Sequence, residues 1–174
     1  NRPAGLAVMT EDGTVATGDA SRDLLVDDPG APFGITLDPE AVVAALDAHW
    51  VDGGVALVEL SDLERADAYR SLAVGAQADA LARDALARTD ALLADVLART
   101  GPDDLVVVVS PAAPRSGETL TPMAIRGPGF ESGTLVSGTT RRDGYVTLPD
   151  LAPTVLDELG IEQPSSMTGA LIAA

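Results

Sequence analysis

Apolar residues fall along this chain in short runs separated by clusters of Asp, Gly and Pro, and the spacing of those runs predicts its elements. Gly5 to Met9 reads as a buried strand, closed by the turn signal Glu11-Asp12-Gly13 before Thr14-Val15-Ala16, which predicts a hairpin. Gly18 to Asp38 is rich in Asp, Gly and Pro and reads as loop, with a weak strand at Leu24-Leu25-Val26. Asp38-Pro39-Glu40 then sets an N-cap, a proline at the first helical position and an acid in the first turn, predicting a helix from Pro39 to Trp50. Its apolar face would be Val42, Val43, Leu46 and Trp50.

The run Val55 to Leu60 is continuously apolar but for Glu59, as expected of a strand covered on both faces. Ser61-Asp62-Leu63-Glu64 has the pattern of a capping box, in which hydroxyl and carboxylate each satisfy a free backbone N–H. From Asp67 to Arg99 the chain is Ala-rich and free of proline, and predicts one long helix, bent near Gly75, with Leu81, Ala85, Leu92 and Val96 inward and Arg83, Asp84, Arg88 and Asp95 elsewhere. Leu105 to Val109 is the strongest strand signal. Strand, long helix and buried strand make a parallel β-α-β unit, so the expected fold class is α/β with a mostly parallel sheet flanked by helices. Thr121–Arg126 and Gly133–Ser137 read as further extended pieces, and Asp150 as the cap of a helix from Leu151 to Leu159 that stops at Gly160.

Composition narrows the partners. At 174 residues a single domain with a real core is expected, and with 46% apolar but only 3% aromatic residues that core must be Ala, Val and Leu. Eleven basic residues against 27 acidic ones give a net charge of -16, which opposes nucleic acid and anionic membrane surfaces alike. All the basic residues are Arg, a bias expected from a GC-rich, bacterial genome. The absence of cysteine excludes disulfides, thiolate catalysis and Cys-based zinc sites, and no apolar run reaches the ~20 residues of a membrane span. The Asn1-Arg2-Pro3 start reads as a piece of a longer protein.

Several segments in order, an acidic loop after Leu60, a Val-rich strand ending in Ser110, Pro122-Met123-Ala124-Ile125-Arg126-Gly127-Pro128-Gly129-Phe130, and Asp150-Leu151-Ala152-Pro153-Thr154-Val155-Leu156 before Leu159-Gly160-Ile161, resemble the C-terminal half of the alkaline phosphatase superfamily. The likeness covers Val55 to Gly169, and is nearest to the phosphodiesterase branch. It implies an alkaline phosphatase-like sheet, an extracytoplasmic setting and, in active members, two metal ions between Asp and His ligands with a Thr or Ser nucleophile from an N-terminal half. On that resemblance Asp62 matches a ligand, but Ala66 stands where a His belongs. Ser110-Pro111-Ala112-Ala113 replaces Ser-Asp-His-Gly, and 116–120 lacks the last His. The only histidine, His49, lies outside every matching motif.

No catalytic residue, metal ligand set or cofactor is therefore assigned. The candidate ligand-binding residues are Asp62, Ser110, Arg141 and Arg142. The arginine pair could clamp an anion, yet in so acidic a chain it reads first as local charge neutralisation. Asp62 reads first as a helix-terminal cap, and His49 as a packing or capping residue. Neither Ser61 nor Ser110 has a histidine base nearby in sequence, and Gly127-Pro128-Gly129 reads as a plain turn. Three functions follow from these residues: a non-catalytic binding or scaffolding domain with an unknown protein or small-molecule partner, a metal-dependent phosphatase, phosphodiesterase or sulfatase completed by an N-terminal half, or a structural, oligomerising domain.

Overall fold

The structure is a computed structural model that describes residues 4–9, 15–17, 20–113 and 120–174, with backbone alone up to residue 22. The turn expected at Glu11-Asp12-Gly13 and most of the 116–120 stretch lie outside the described residues. The chain groups into two compact units, the first running through Arg99 and the second made of Thr100–Ala113 and the chain from residue 120 onward.

In the first unit β1 (Ala4–Met9) pairs antiparallel with β2 (Val15–Thr17), forming the expected hairpin, and with β3 (Ala20–Ser21). Within the stretch read as loop from 18 to 38, the weak strand expected at Leu24-Leu25-Val26 is β4 (Leu25–Asp27), and it pairs antiparallel with an unforeseen strand, β5 (Ile35–Leu37), to make a second hairpin. The 28–34 connection is closed by the Asp28 N–H on the Gly34 carbonyl and ends in Phe33 and Gly34, both at positive φ of 60° and 75°. All three residues of β5 are buried. α1 (Pro39–His49) starts as predicted, because the Asp38 carboxylate accepts from the N–H groups of Glu40 and Ala41 at 3.0 and 3.1 Å. It buries Val42 and Leu46 against Leu24, Leu37 and Leu92, the centre of the core, while Trp50 ends the helix exposed.

β6 (Val55–Val58) corrects the expected fold class. It pairs antiparallel with β1, Leu6 opposite Val58 and Met9 opposite Val55, and Leu57 is 61% exposed, so the strand is not covered on both faces. In the second unit β7 (Val106–Val109) pairs antiparallel with β8 (Met123–Arg126), and β9 (Val136–Ser137) antiparallel with β10 (Ile172–Ala173). Among the described residues every strand pair is antiparallel, in one four-stranded sheet around β1 and three two-stranded sheets, so the mostly parallel, alkaline phosphatase-like sheet is overturned. A short Val/Leu run has the same pattern in a parallel strand as in an antiparallel one, and periodicity cannot tell them apart.

The single long helix is corrected too. α2 (Asp62–Tyr69) passes into a 3-10 turn at Arg70–Leu72, Ala73 and Val74 are extended, and α3 (Gly75–Leu97) starts afresh. The two helices pack on one another, and the apolar residues they bury are mostly small: Ala66 on α2, Ala78 and Ala85 on α3. A continuous helix would leave those faces in water, and tertiary burial outweighs helix propensity.

α4 (Leu151–Glu158) ends at Gly160 with φ 67°, as expected. Asp150 does not cap it, however: its carboxylate turns back to Thr147, closing the 3-10 turn Leu148–Asp150. Gly169, at φ 104°, passes so close to the Pro149 carbonyl that a Cβ would lie 2.2 Å from its oxygen, which delivers β10 to β9 and admits no side chain.

Leu46, 1% exposed, sits at the centre of the first unit's core, and Leu46→Ala is expected to cost about 2–5 kcal/mol, read as a fall in the urea midpoint.

Candidate functional site

The strongest concentration of buried polar chemistry in the first unit surrounds Asp62, the first residue of α2, 3% exposed. Its Oδ1 accepts from the Leu37 N–H at 3.1 Å and from Arg65 Nη2 at 2.5 Å. Its Oδ2 accepts from Thr36 Oγ1 at 2.5 Å and Arg88 Nε at 3.1 Å. Three elements meet there: β5 supplies Thr36 and Leu37, α2 supplies Asp62 itself and Arg65 one turn along, and α3 supplies Arg88. Burial alone would raise this carboxyl's pKa, but the hydrogen bonds from Thr36, Arg65, Arg88 and Leu37 outweigh it and hold the group below its ordinary value.

Asp62 is thus neither the helix cap nor the free ligand considered from sequence. Ser61, the expected capping-box serine, makes no side-chain cap, and among the described residues its buried Oγ has no hydrogen-bond partner. The cation that a metal site would place beside Asp62 is replaced by two guanidinium groups. Among the described residues no three His, Asp or Glu side chains come together as a metal would need.

The second unit has its own buried carboxylate. Asp150 is fully buried and accepts from Ser137 Oγ, Thr139 Oγ1, the Thr147 N–H and Oγ1, and the Ala170 N–H, at 2.6 to 2.9 Å. Burial opposes its ionisation, but the bonds from Thr139, Ala170, Thr147 and Ser137 prevail and hold its pKa well below the usual carboxylate range. Thr154 extends the network, its hydroxyl donating to the Asp150 carbonyl and accepting from the Ile172 N–H. No open face of Asp150 remains for a ligand.

The other candidates belong to the second unit and are engaged locally. The Ser110 hydroxyl donates to the Ala112 carbonyl at 3.1 Å, and the Ser110 carbonyl accepts from Thr121 Oγ1 at 2.6 Å. Arg141 holds a left-handed backbone at φ 53° and its N–H donates to the Ser137 carbonyl. Arg142 lays its guanidinium over the Tyr145 ring, 4.2 Å from the centroid. Gly127-Pro128-Gly129 is the expected turn, closed by the Phe130 N–H on the Gly127 carbonyl. It borders a shallow depression of about 380 Å³ lined by Thr100, Gly101, Pro102, Arg126, Gly127 and Phe130, where Arg126 donates to the Thr100 hydroxyl.

Sequence reasoning set Arg88 off the inward face of its helix and passed over Thr36 and Arg65. The available signals were the i, i+3 spacing of Asp62 and Arg65, and the position of Arg88 three residues after Ala85 on the same helical face. Set against protein-family models, characterised proteins and solved structures, the chain matches none.

Two expectations follow. Asp62→Ala removes the buried carboxylate that Arg65, 2% exposed, and Arg88 both bond, and is expected to cost about 3–5 kcal/mol by urea denaturation. For Asp150 the folded pKa lies below the unfolded value of 3.8, so its contribution is full well above that value and is lost progressively as pH falls from there toward the lower folded pKa, because the unfolded chain takes up the proton first. Between about pH 5 and pH 3 the wild type is therefore expected to lose more stability than Asp150→Asn does, measured as the difference in urea midpoints.

Proposed function

We propose that the chain is a non-catalytic binding or scaffolding domain, alkaline phosphatase-like in the order of its motifs and without that superfamily's metal chemistry. One observation carries this reading: both oxygens of Asp62, the residue that the resemblance matches to a metal ligand, are taken by Thr36, Leu37, Arg65 and Arg88. A metal-dependent hydrolase would have to release two guanidinium groups from a buried carboxylate before a cation could approach, and each released charge would remain in a partly dry site. Ala66, buried on α2, offers no ligand at the position where the resemblance calls for a histidine.

A structural, oligomerising role is a second reading, favoured by apolar side chains left in solvent near and along α3: Leu72 at 67%, Val74 at 73% and Leu86 at 55% exposure. Light scattering on a size-exclusion column separates the two readings, since a stable oligomer favours the second and a monomer the first.

The purified protein is expected to hold no stoichiometric zinc or manganese by plasma mass spectrometry. Its melting temperature should not respond to either ion, and an aryl phosphate ester should not turn over. Retention of about two metals per chain with ester hydrolysis would overturn the non-catalytic reading.

A further inference from the structure

We propose that Arg88 anchors an oxyanion site on the first unit, taking a carboxylate or phosphate group end-on between its two terminal nitrogens. Asp62 engages Arg88 only through Nε, at 3.1 Å. Among the described residues no protein acceptor meets its Nη1 or Nη2, and the side chain keeps 33% of its surface exposed. The guanidinium is planar and carries its N–H groups in a fixed fork, so a bond at Nε fixes the direction in which the outer pair points. That outer pair matches the two oxygens of a carboxylate or phosphate, and charge-assisted bidentate bonds are the strong kind.

The neighbourhood supports a site rather than a neutralising contact. Asp84 stands one turn before Arg88 on α3, the spacing at which an acid and a base commonly pair on a helix surface, yet no ion pair joins them. The arginine is turned inward instead and held by a carboxylate that is itself fixed by β5 and α2. Other arginines are satisfied otherwise: Arg70 pairs with Asp79, Arg99 with Asp47, and Arg142 lies on Tyr145. A fork held in place before a ligand arrives loses little freedom on binding, which is where its affinity would come from. In a protein of net charge -16 such a position is also selective, since anions are repelled from most of the remaining surface.

This proposal rests on the binding reading and gives it a ligand class, but the two fail separately: metal uptake or ester hydrolysis would sink that reading, and a flat anion titration would sink only the site. The test is thermal melting of the full chain in inorganic phosphate and, separately, acetate, against chloride at matched ionic strength. Arg88→Gln and Arg88→Lys are compared with Arg83→Gln, which alters an exposed arginine of the same helix whose Nε bonds the Asp79 carbonyl. The expected result is a saturating rise of about 3 °C for wild type and Arg83→Gln in at least one of the two anions, lost in Arg88→Gln and reduced in Arg88→Lys. A response in phosphate alone identifies a phosphate group as the ligand, and one in acetate alone a carboxylate. Equal responses in wild type and Arg88→Gln, or none in wild type, would overturn the site. Should Arg88→Gln fail to fold, arginine Nε–H resonances of the wild type decide: a titrating shift confined to Arg88 supports the site, and shifts spread over surface arginines refute it.

Discussion

A carboxylate removed from water must be surrounded by donors or it cannot stay ionised, and each of the two units is organised around one such group. Asp62 collects β5, α2 and α3 of the first unit, and Asp150 collects β9, the 147–150 turn and the strand that follows Gly169 in the second. The apolar content helps to explain the dependence. With few aromatic rings, the second unit buries little beyond Pro153 and Ile172, and its interior is Ser137, Asp150 and Thr154 joined by hydrogen bonds. Position there is set by directed bonds more than by volume.

The two networks differ in how they meet the charge. Around Asp150 every donor is a hydroxyl or a backbone amide, so the negative charge is solvated by dipoles and nothing in the site is left over to bind. Around Asp62 two donors are themselves charged, and one of them reaches the surface. A site able to respond to an ion is therefore argued for the first unit and not for the second, although the second contains three of the four residues first considered as ligands.

What could be read from the residues was what local chemistry decides. The Asp38 cap, the extent of α1, the stop at Gly160 and the 127–129 turn all follow from side chains acting on their own backbone neighbours. Strand direction was not legible, because Val55–Val58 and Val106–Val109 look alike whether their partner runs parallel or antiparallel. The break at Ala73–Val74 was hidden for a related reason: no proline marks it, and it exists because Ala66, Ala78 and Ala85 are buried when the helix doubles back. Arg88 was misplaced with it, since its partner lies 26 residues earlier in the chain, beyond any pattern within the helix. β5 escaped notice as three residues inside a Gly- and Pro-rich stretch, yet it carries Thr36 and Leu37 to Asp62.

The spacing of these donors also bears on synthesis. Asp62 gains Thr36 and Leu37 from chain already made, and its last partner, Arg88, appears 26 residues later, while no residue of the second unit is required. The first network can thus close on the emerging chain by itself. Asp150 must wait 20 residues for the Ala170 amide, and the Thr154 hydroxyl waits 18 for Ile172. Until then a charged group destined for the interior is kept in water, so vectorial growth imposes an order of maturation in which the second unit is last.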